Sequence, residues 1–109
     1  MNDNERVEHI LYVIDCLDSF MFGANEELFL ENEQLKFACY GCLVMISEGT
    51  ILLSTELKNE LNKIQWSQLK GFRNRVIHEY FRLDWKIVWN IIQNNIPILK
   101  FELEKYNKL

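Results

Sequence analysis

Residues 71–80 read Gly71-Phe72-Arg73-Asn74-Arg75-Val76-Ile77-His78-Glu79-Tyr80, and no other stretch gathers as many groups able to handle a phosphate and a proton. Arg73 offers a planar fork of donors that stays charged and fits two phosphate oxygens at once. His78 follows five residues on and is one of only two histidines in the chain; an imidazole takes up and returns a proton near neutral pH. On an ideal helix, residues seven apart return to within about 20° of each other, so Arg73 and Tyr80 are expected on one face, with His78 about 140° round from Arg73 at the edge of that face. Arg73 and His78 are expected to reach a common cleft, more easily if the helix loosens near its end. Such a set suits cleavage of RNA without a metal. His78 would deprotonate the ribose 2′-hydroxyl or protonate the leaving 5′-oxygen, and Arg73 would stabilise charge on the phosphorane-like transition state. One histidine does not serve comfortably as both acid and base, so two subunits giving one motif each is a natural arrangement. Spacing alone leaves a purely structural role open, because these residue types also fall together on ordinary helices.

The charge balance favours the same region. The net charge is −4, but residues 1–60 carry three basic side chains against twelve acidic (net −9), while residues 61–109 carry nine against four (net +5). A protein of net charge −4 is a poor general binder of nucleic acid. A local patch built from Lys70, Arg73, Arg75, Arg82 and Lys86 can still hold a polyanion, with a solvated basic face as the plainer reading. RNA contacts are therefore expected on residues 63–86, with Lys70, Arg75 and Arg82 foremost.

The elements that must position these groups are helical. Only 4 Gly and 1 Pro occur in 109 residues, too few for the many turns of an all-β fold. An apolar share of 49% is enough for one packed domain over residues 1–109, and a second domain would have no core of its own. Val7, Ile10, Leu11, Ile14, Leu17 and Met21 keep the spacing of an amphipathic helix over residues 4–22, with Gly23 as its stop. His9 lies beside that stripe as a boundary residue. Residues 25–30 suit one helical turn, and Asn32 an N-cap for a long helix running to about Leu53.

That long helix is apolar nearly all round, which places it in the centre of a bundle or at a subunit interface. Gly41 and Gly49 within it are explained by close approach of another helix. Glu48 is out of place there: it projects near Val44, Ile51 and Leu52, where a bare carboxylate is costly to bury. Either its surroundings are wet or it meets a cation, with Arg73 and Arg75 the available partners. Ser54 and Thr55 cap a short helix over residues 56–61, and the motif helix starts near Trp66 or Ser67. Asp84 caps the next helix, which is expected to close over the motif. Asn95 and Pro97 mark a break and restart before a last helix carrying Leu99, Leu103 and Tyr106.

Cys16, Cys39 and Cys42 sit in apolar settings. Cys39 and Cys42 have the spacing of half a zinc site, but no second pair completes it, so reduced core thiols are expected and no metal. The acidic, polar start lacks the apolar segment of a secretion signal, and no run is long enough to span a membrane, which makes a cytoplasmic protein the expectation.

The segment Arg73-Asn74-x-x-x-His78-x-Tyr80 resembles the Arg-x4-His-x-Tyr signature of the HEPN superfamily, specifically its HepT toxin branch. The likeness extends through Trp66-x-x-Leu69-x-Gly71-Phe72 before it and through Asp84-x-x-x-Val88-Trp89-x-Ile91-Ile92 and Asn95-Ile96-Pro97-x-Leu99 after it. Upstream, Ile46-Ser47-Glu48-Gly49 resembles an Ile-Gly-Glu-Ala segment of the branch, with Ser47 and Gly49 as departures. The resemblance implies an all-α, compact up-and-down bundle of about four to six helices that forms a homodimer with both motifs at or beside the interface. It implies a metal-independent ribonuclease toxin of a type VII toxin–antitoxin system, requiring no cofactor, with Arg73 and His78 catalytic and Asn74 and Glu48 supporting them. It also implies a minimal nucleotidyltransferase antitoxin, MntA-like, that uses ATP to place AMP on Tyr80 and so fills the cleft with bulk and negative charge. The alternative is a non-catalytic helical partner that regulates such a nucleotidyltransferase.

Overall fold

The computed structural model describes residues 1–107, with Tyr80 described by its backbone alone. Five helices begin where a short polar side chain takes up an amide proton that the first helical turn leaves without a partner. Asn2 accepts from Glu5 N–H at 2.9 Å and opens α1 (Asp3–Met21). Asn25 accepts from Leu28 N–H at 2.8 Å and opens α2 (Glu26–Glu31). Asn32 accepts from Leu35 N–H at 3.0 Å and opens α3 (Glu33–Ile51). Ser54 caps α4 (Thr55–Glu60), accepting from Leu57 N–H at 3.1 Å. The motif helix α5 (Trp66–His78) starts without a side-chain cap and is followed by a 3-10 turn, Tyr80–Arg82. Asp84 then caps α6 (Trp85–Asn90), which leads through a π turn (Ile91–Asn95) into α7 (Ile96–Asn107). No strand occurs among the described residues, so the fold is all-α as expected.

Packing centres on α3, which lies between α1 on one side and α5 on the other, while α7 returns to α1 and α2 bridges α3 and α6. The α1 side of the core uses Val7, Ile10, Ile14 and Leu17, all without solvent exposure. Gly49 permits that contact: a Cβ there would stand 2.8 Å from Ile10 Cγ1. Gly41 behaves otherwise, since among the described residues nothing lies within 4 Å of a Cβ built on it, and the close approach expected there is not made by any of them. At the other end of the core, Phe29 is wholly buried against Trp85 and Trp89, with ring centroids 6.2 and 5.6 Å away. Gly23, at φ 76°, turns the chain out of α1 in a conformation that glycine adopts without strain.

Two expectations about the C-terminal third are corrected. Asn95 and Pro97 do not break the chain direction: the flanking backbone stays helical, and one wide π turn carries α6 into α7. A proline lacks the N–H for the preceding turn and its ring presses on a carbonyl four residues back; widening that turn relieves the clash without a restart. Nor does this helix close over the motif. α6 packs on α2 and α7 on α1, and the π turn meets the start of α5, where Gln65, Leu69, Asn94 and Ile98 line one cavity. Among the described residues no helix is long and apolar enough to cross a membrane.

Candidate active site

Arg73 leaves α5 on its inward side, half-buried between the levels of Leu69 and Ile77, and reaches Glu48 on α3. Its Nε donates to Glu48 Oε1 at 2.5 Å, and its Nη1 donates to Asn74 Oδ1 at 2.9 Å. The two acceptors fix the guanidinium plane and use two of its five N–H donors, which leaves three for oxygens of a ligand. Glu48 thus satisfies both halves of the expectation. It meets a cation, and its side chain remains 41% exposed. An ion pair that wet stabilises the fold by about 1 kcal/mol or less, so its consequence is orientation rather than stability.

Arg75, the other partner considered for Glu48, points elsewhere. It forms a long, exposed pair with Glu79 at 3.9 Å within its own helix. Lys70 is exposed one turn before Arg73, and Arg82 is exposed in the 3-10 turn. His78 is the last residue of α5 and is exposed. The structure therefore joins Arg73, Asn74 and Glu48 directly, and sets His78 at the helix end on a different side of α5. The expected sharing of a face by Arg73 and Tyr80 rested on an unbroken helix through residue 80. The chain leaves the α-helix after His78, with Glu79 at φ −131° and ψ 31°. The side chain of Tyr80, the expected modification site, lies outside the described residues.

Tyr40, in the long apolar helix, is a positioning residue with no role assigned from sequence. Its hydroxyl donates to Val76 C=O at 3.2 Å, one of the last carbonyls of α5, which a helix end otherwise leaves without a donor. A tyrosine in an apolar run needs a partner for its hydroxyl, and that need was the available signal. His9 is exposed and, with Arg6, Val44, Met45 and Leu52, lines a cavity of about 310 Å³ that reaches Glu48. Cys39 and Cys42 are buried free thiols and Cys16 is half-buried. Burial, with a smaller contribution from Cys42 nearby, pushes the Cys39 thiol up to about 12, so it is a protonated core group at neutral pH.

The sequence matches the model of a family described as ribonuclease HepT-like over residues 10–106. A protein of Caldanaerobacter subterraneus subsp. tengcongensis, named as a candidate RNase, is 33% identical over 102 residues, covering 94% of this chain and 88% of its own. A second candidate RNase, from Methanocaldococcus jannaschii, is 31% identical over 99 residues, covering 91% and 85% respectively. A protein of Thermococcus cleftensis named as a candidate ribonuclease HepT is 28% identical over 102 residues, with 94% and 93% coverage. No solved structure matches the chain. The matched span contains all of α3 and α5, and with them Glu48, Arg73, Asn74 and His78. With an all-helical fold around that set, the chain belongs to the ribonuclease HepT-like family.

Proposed function

We propose that the protein is a metal-independent endoribonuclease acting as the toxin of a type VII toxin–antitoxin pair. The observation that carries the reading is the Arg73 guanidinium, held by Glu48 and Asn74 with three donors left over, in a chain of the ribonuclease HepT-like family. Held in that way, Arg73 meets the negative charge that grows on the non-bridging phosphate oxygens as the 2′-oxygen attacks, without reorganising when it does so. His78 removes the 2′-hydroxyl proton or delivers one to the departing 5′-oxygen, giving a 2′,3′-cyclic phosphate and a 5′-hydroxyl end. The other proton step falls to a second imidazole, supplied by the His78 of a second copy in a homodimer. Lys70, Arg75 and Arg82 hold the flanking backbone.

The surface beside the site supports the dimer. Phe37, Gly41, Met45 and Leu52 all fall within about 60° of Glu48 around α3, and Phe37, Met45 and Leu52 are 61%, 47% and 57% exposed. An apolar stripe of this kind is a protein-interaction face. Covering it with a second copy brings a second motif to the first. Control by a nucleotidyltransferase antitoxin that transfers AMP to Tyr80 completes the reading.

The test is expression and purified-protein assay of Arg73→Ala and His78→Ala. Both variants are expected to relieve growth arrest and to lose RNA cleavage while keeping the helical circular dichroism of the parent. A His78→Ala protein as toxic as the parent defeats the catalytic assignment. Intact RNA after long incubation with the parent favours the non-catalytic partner instead.

A further inference from the structure

Along the seam between α3 and α5, next to the Arg73–Glu48 pair, lies a cleft of about 210 Å³ lined by Thr50, Ile51, Lys58, Trp66, Ser67 and Lys70. Its two charged residues are both cations, and no carboxylate lines it. Lys58 is held in place without an acid. Its Nζ donates to Ile51 C=O at 3.1 Å and stands 5.9 Å from the centroid of the Trp66 ring. The ring is itself fixed, since Trp66 Nε1 donates to Lys58 C=O and to Leu61 C=O, each at 3.1 Å. Among the described residues neither Lys58 nor Lys70 has a carboxylate within ion-pair distance, whereas Lys36, Lys100 and Lys105 each do. A half-buried ammonium ordered by a carbonyl and an aromatic face has already lost its side-chain freedom, and it retains donors for an anion. Lys70 precedes Arg73 by three residues, about 4.5 Å along the axis and on a neighbouring part of the helix surface.

We infer that this cleft is a subsite for an RNA backbone phosphate adjoining the scissile one, with Lys58 and Lys70 as its cations and the Ser67 hydroxyl as a further donor. The assignment rests on the ribonuclease reading above and extends it to a register. The strand runs along α5, with the scissile phosphate at Arg73 and a neighbouring phosphate at Lys58 and Lys70. Trp66 acts as a positioning residue, because the ring face over the cleft is the one Lys58 occupies.

The experiment uses the full chain and a 2′-O-methyl oligoribonucleotide, which binds but has no nucleophilic hydroxyl to be cleaved. Affinity is measured across salt for the parent, Lys58→Met and Lys70→Gln. Met preserves the apolar stem over Trp66 but removes the donor to the Ile51 carbonyl, so its circular dichroism is expected to match the parent with a slightly lower melting temperature. Lys70, exposed and without a side-chain partner among the described residues, can be replaced with neither changed. Each variant is expected to bind roughly tenfold more weakly, with the slope of log K against log salt reduced by about 0.7 for the lost contact. Replacing probe phosphates one at a time by neutral methylphosphonate is expected to weaken the parent at one flanking position, and to weaken Lys58→Met less there, where Lys70 alone remains. Variants that bind like the parent, or a methylphosphonate effect that persists undiminished in Lys58→Met, overturn the subsite even when the parent cuts RNA. Competition by ATP at the cleft with unchanged RNA affinity in both variants overturns it too. If the parent binds the probe in this register yet leaves ordinary RNA uncut, the subsite stands and the ribonuclease reading falls.

Discussion

At the scale of single residues, Arg73 is held at Nε and Nη1, and that decides what replaces it badly. A lysine has one nitrogen on a flexible stem and cannot hold Glu48 and Asn74 while facing a phosphate. Arg73→Lys is therefore expected to lose on the order of 10² to 10³ in kcat, as for removal of one transition-state donor, measured by steady-state cleavage of a defined RNA. Asn74→Ala frees one edge of the guanidinium and should cost less, with the loss again in kcat. The pairing of Glu48 was legible as an anomaly, a carboxylate set among Val44, Ile51 and Leu52. The choice of Arg73 over Arg75 was not, because it depends on how α5 is rotated against α3. The thiols make a separate prediction. The folded state keeps Cys39 protonated up to about 12, while an unfolded thiol ionises from about 9. The contribution to stability is complete below pH 9 and is lost as pH rises towards 12, by at most about 1.4 kcal/mol per pH unit for one thiol. Urea unfolding from pH 8 to 10.5 should show a steeper decline in the parent than in Cys39→Ala. At neutral pH a maleimide should label half-buried Cys16 well before Cys39 or Cys42.

At the scale of elements, the caps were the readable part. Asn32, Ser54 and Asp84 carry short acceptors just ahead of periodic apolar residues, and each caps its helix. What could not be read is which helix touches which. Asp3, in the first turn of α1, accepts from both the Ser54 N–H, at 3.0 Å, and the Ser54 hydroxyl, and so fastens the start of α4 to α1. Pro97 signals that a hydrogen bond is lost, but not whether the chain breaks or widens by one residue. The two glycines of α3 separate cleanly by substitution. Gly49→Ala pushes a methyl against fully buried Ile10 and should destabilise the fold by about 1–3 kcal/mol. Gly41→Ala meets open space in the single chain and should stabilise it by up to about 1 kcal/mol. Paired denaturant curves distinguish them. Tyr40→Phe leaves the Val76 carbonyl without its donor. A loss of about 1 kcal/mol is expected, with a larger fall in kcat than in affinity for RNA if the end of α5 must be held for His78 to act.

At the scale of the whole molecule, the acidic first half and basic second half are folded into one bundle, with the motif helix α5 packed on α3. In the single chain Arg73 and His78 leave α5 on different sides, so the arginine of one copy is open to an imidazole from a second copy as well as to its own. The exposed stripe of Phe37, Met45 and Leu52 beside Glu48 offers the way to bring a second motif alongside. Sequence placed Arg73 and His78 in one stretch and within reach of a common cleft, but did not tell on which sides of α5 they leave it; in the proposed homodimer a second copy brings the two groups together. Mixing inactive proteins tests the geometry directly. A heterodimer of Arg73→Ala and His78→Ala contains one centre in which an intact Arg73 from one protomer faces an intact His78 from the other. Random exchange makes half the dimers mixed, each with one centre that keeps Arg73 and one of its two imidazoles. Cleavage after co-refolding in equal amounts should therefore return above that of either variant alone and stay below about a quarter of the parental rate. Met45→Lys, which puts a charge into the stripe, should abolish that recovery and shift sedimentation towards the monomer. A mixture that stays inactive while sedimenting as a dimer would place both catalytic groups within one protomer.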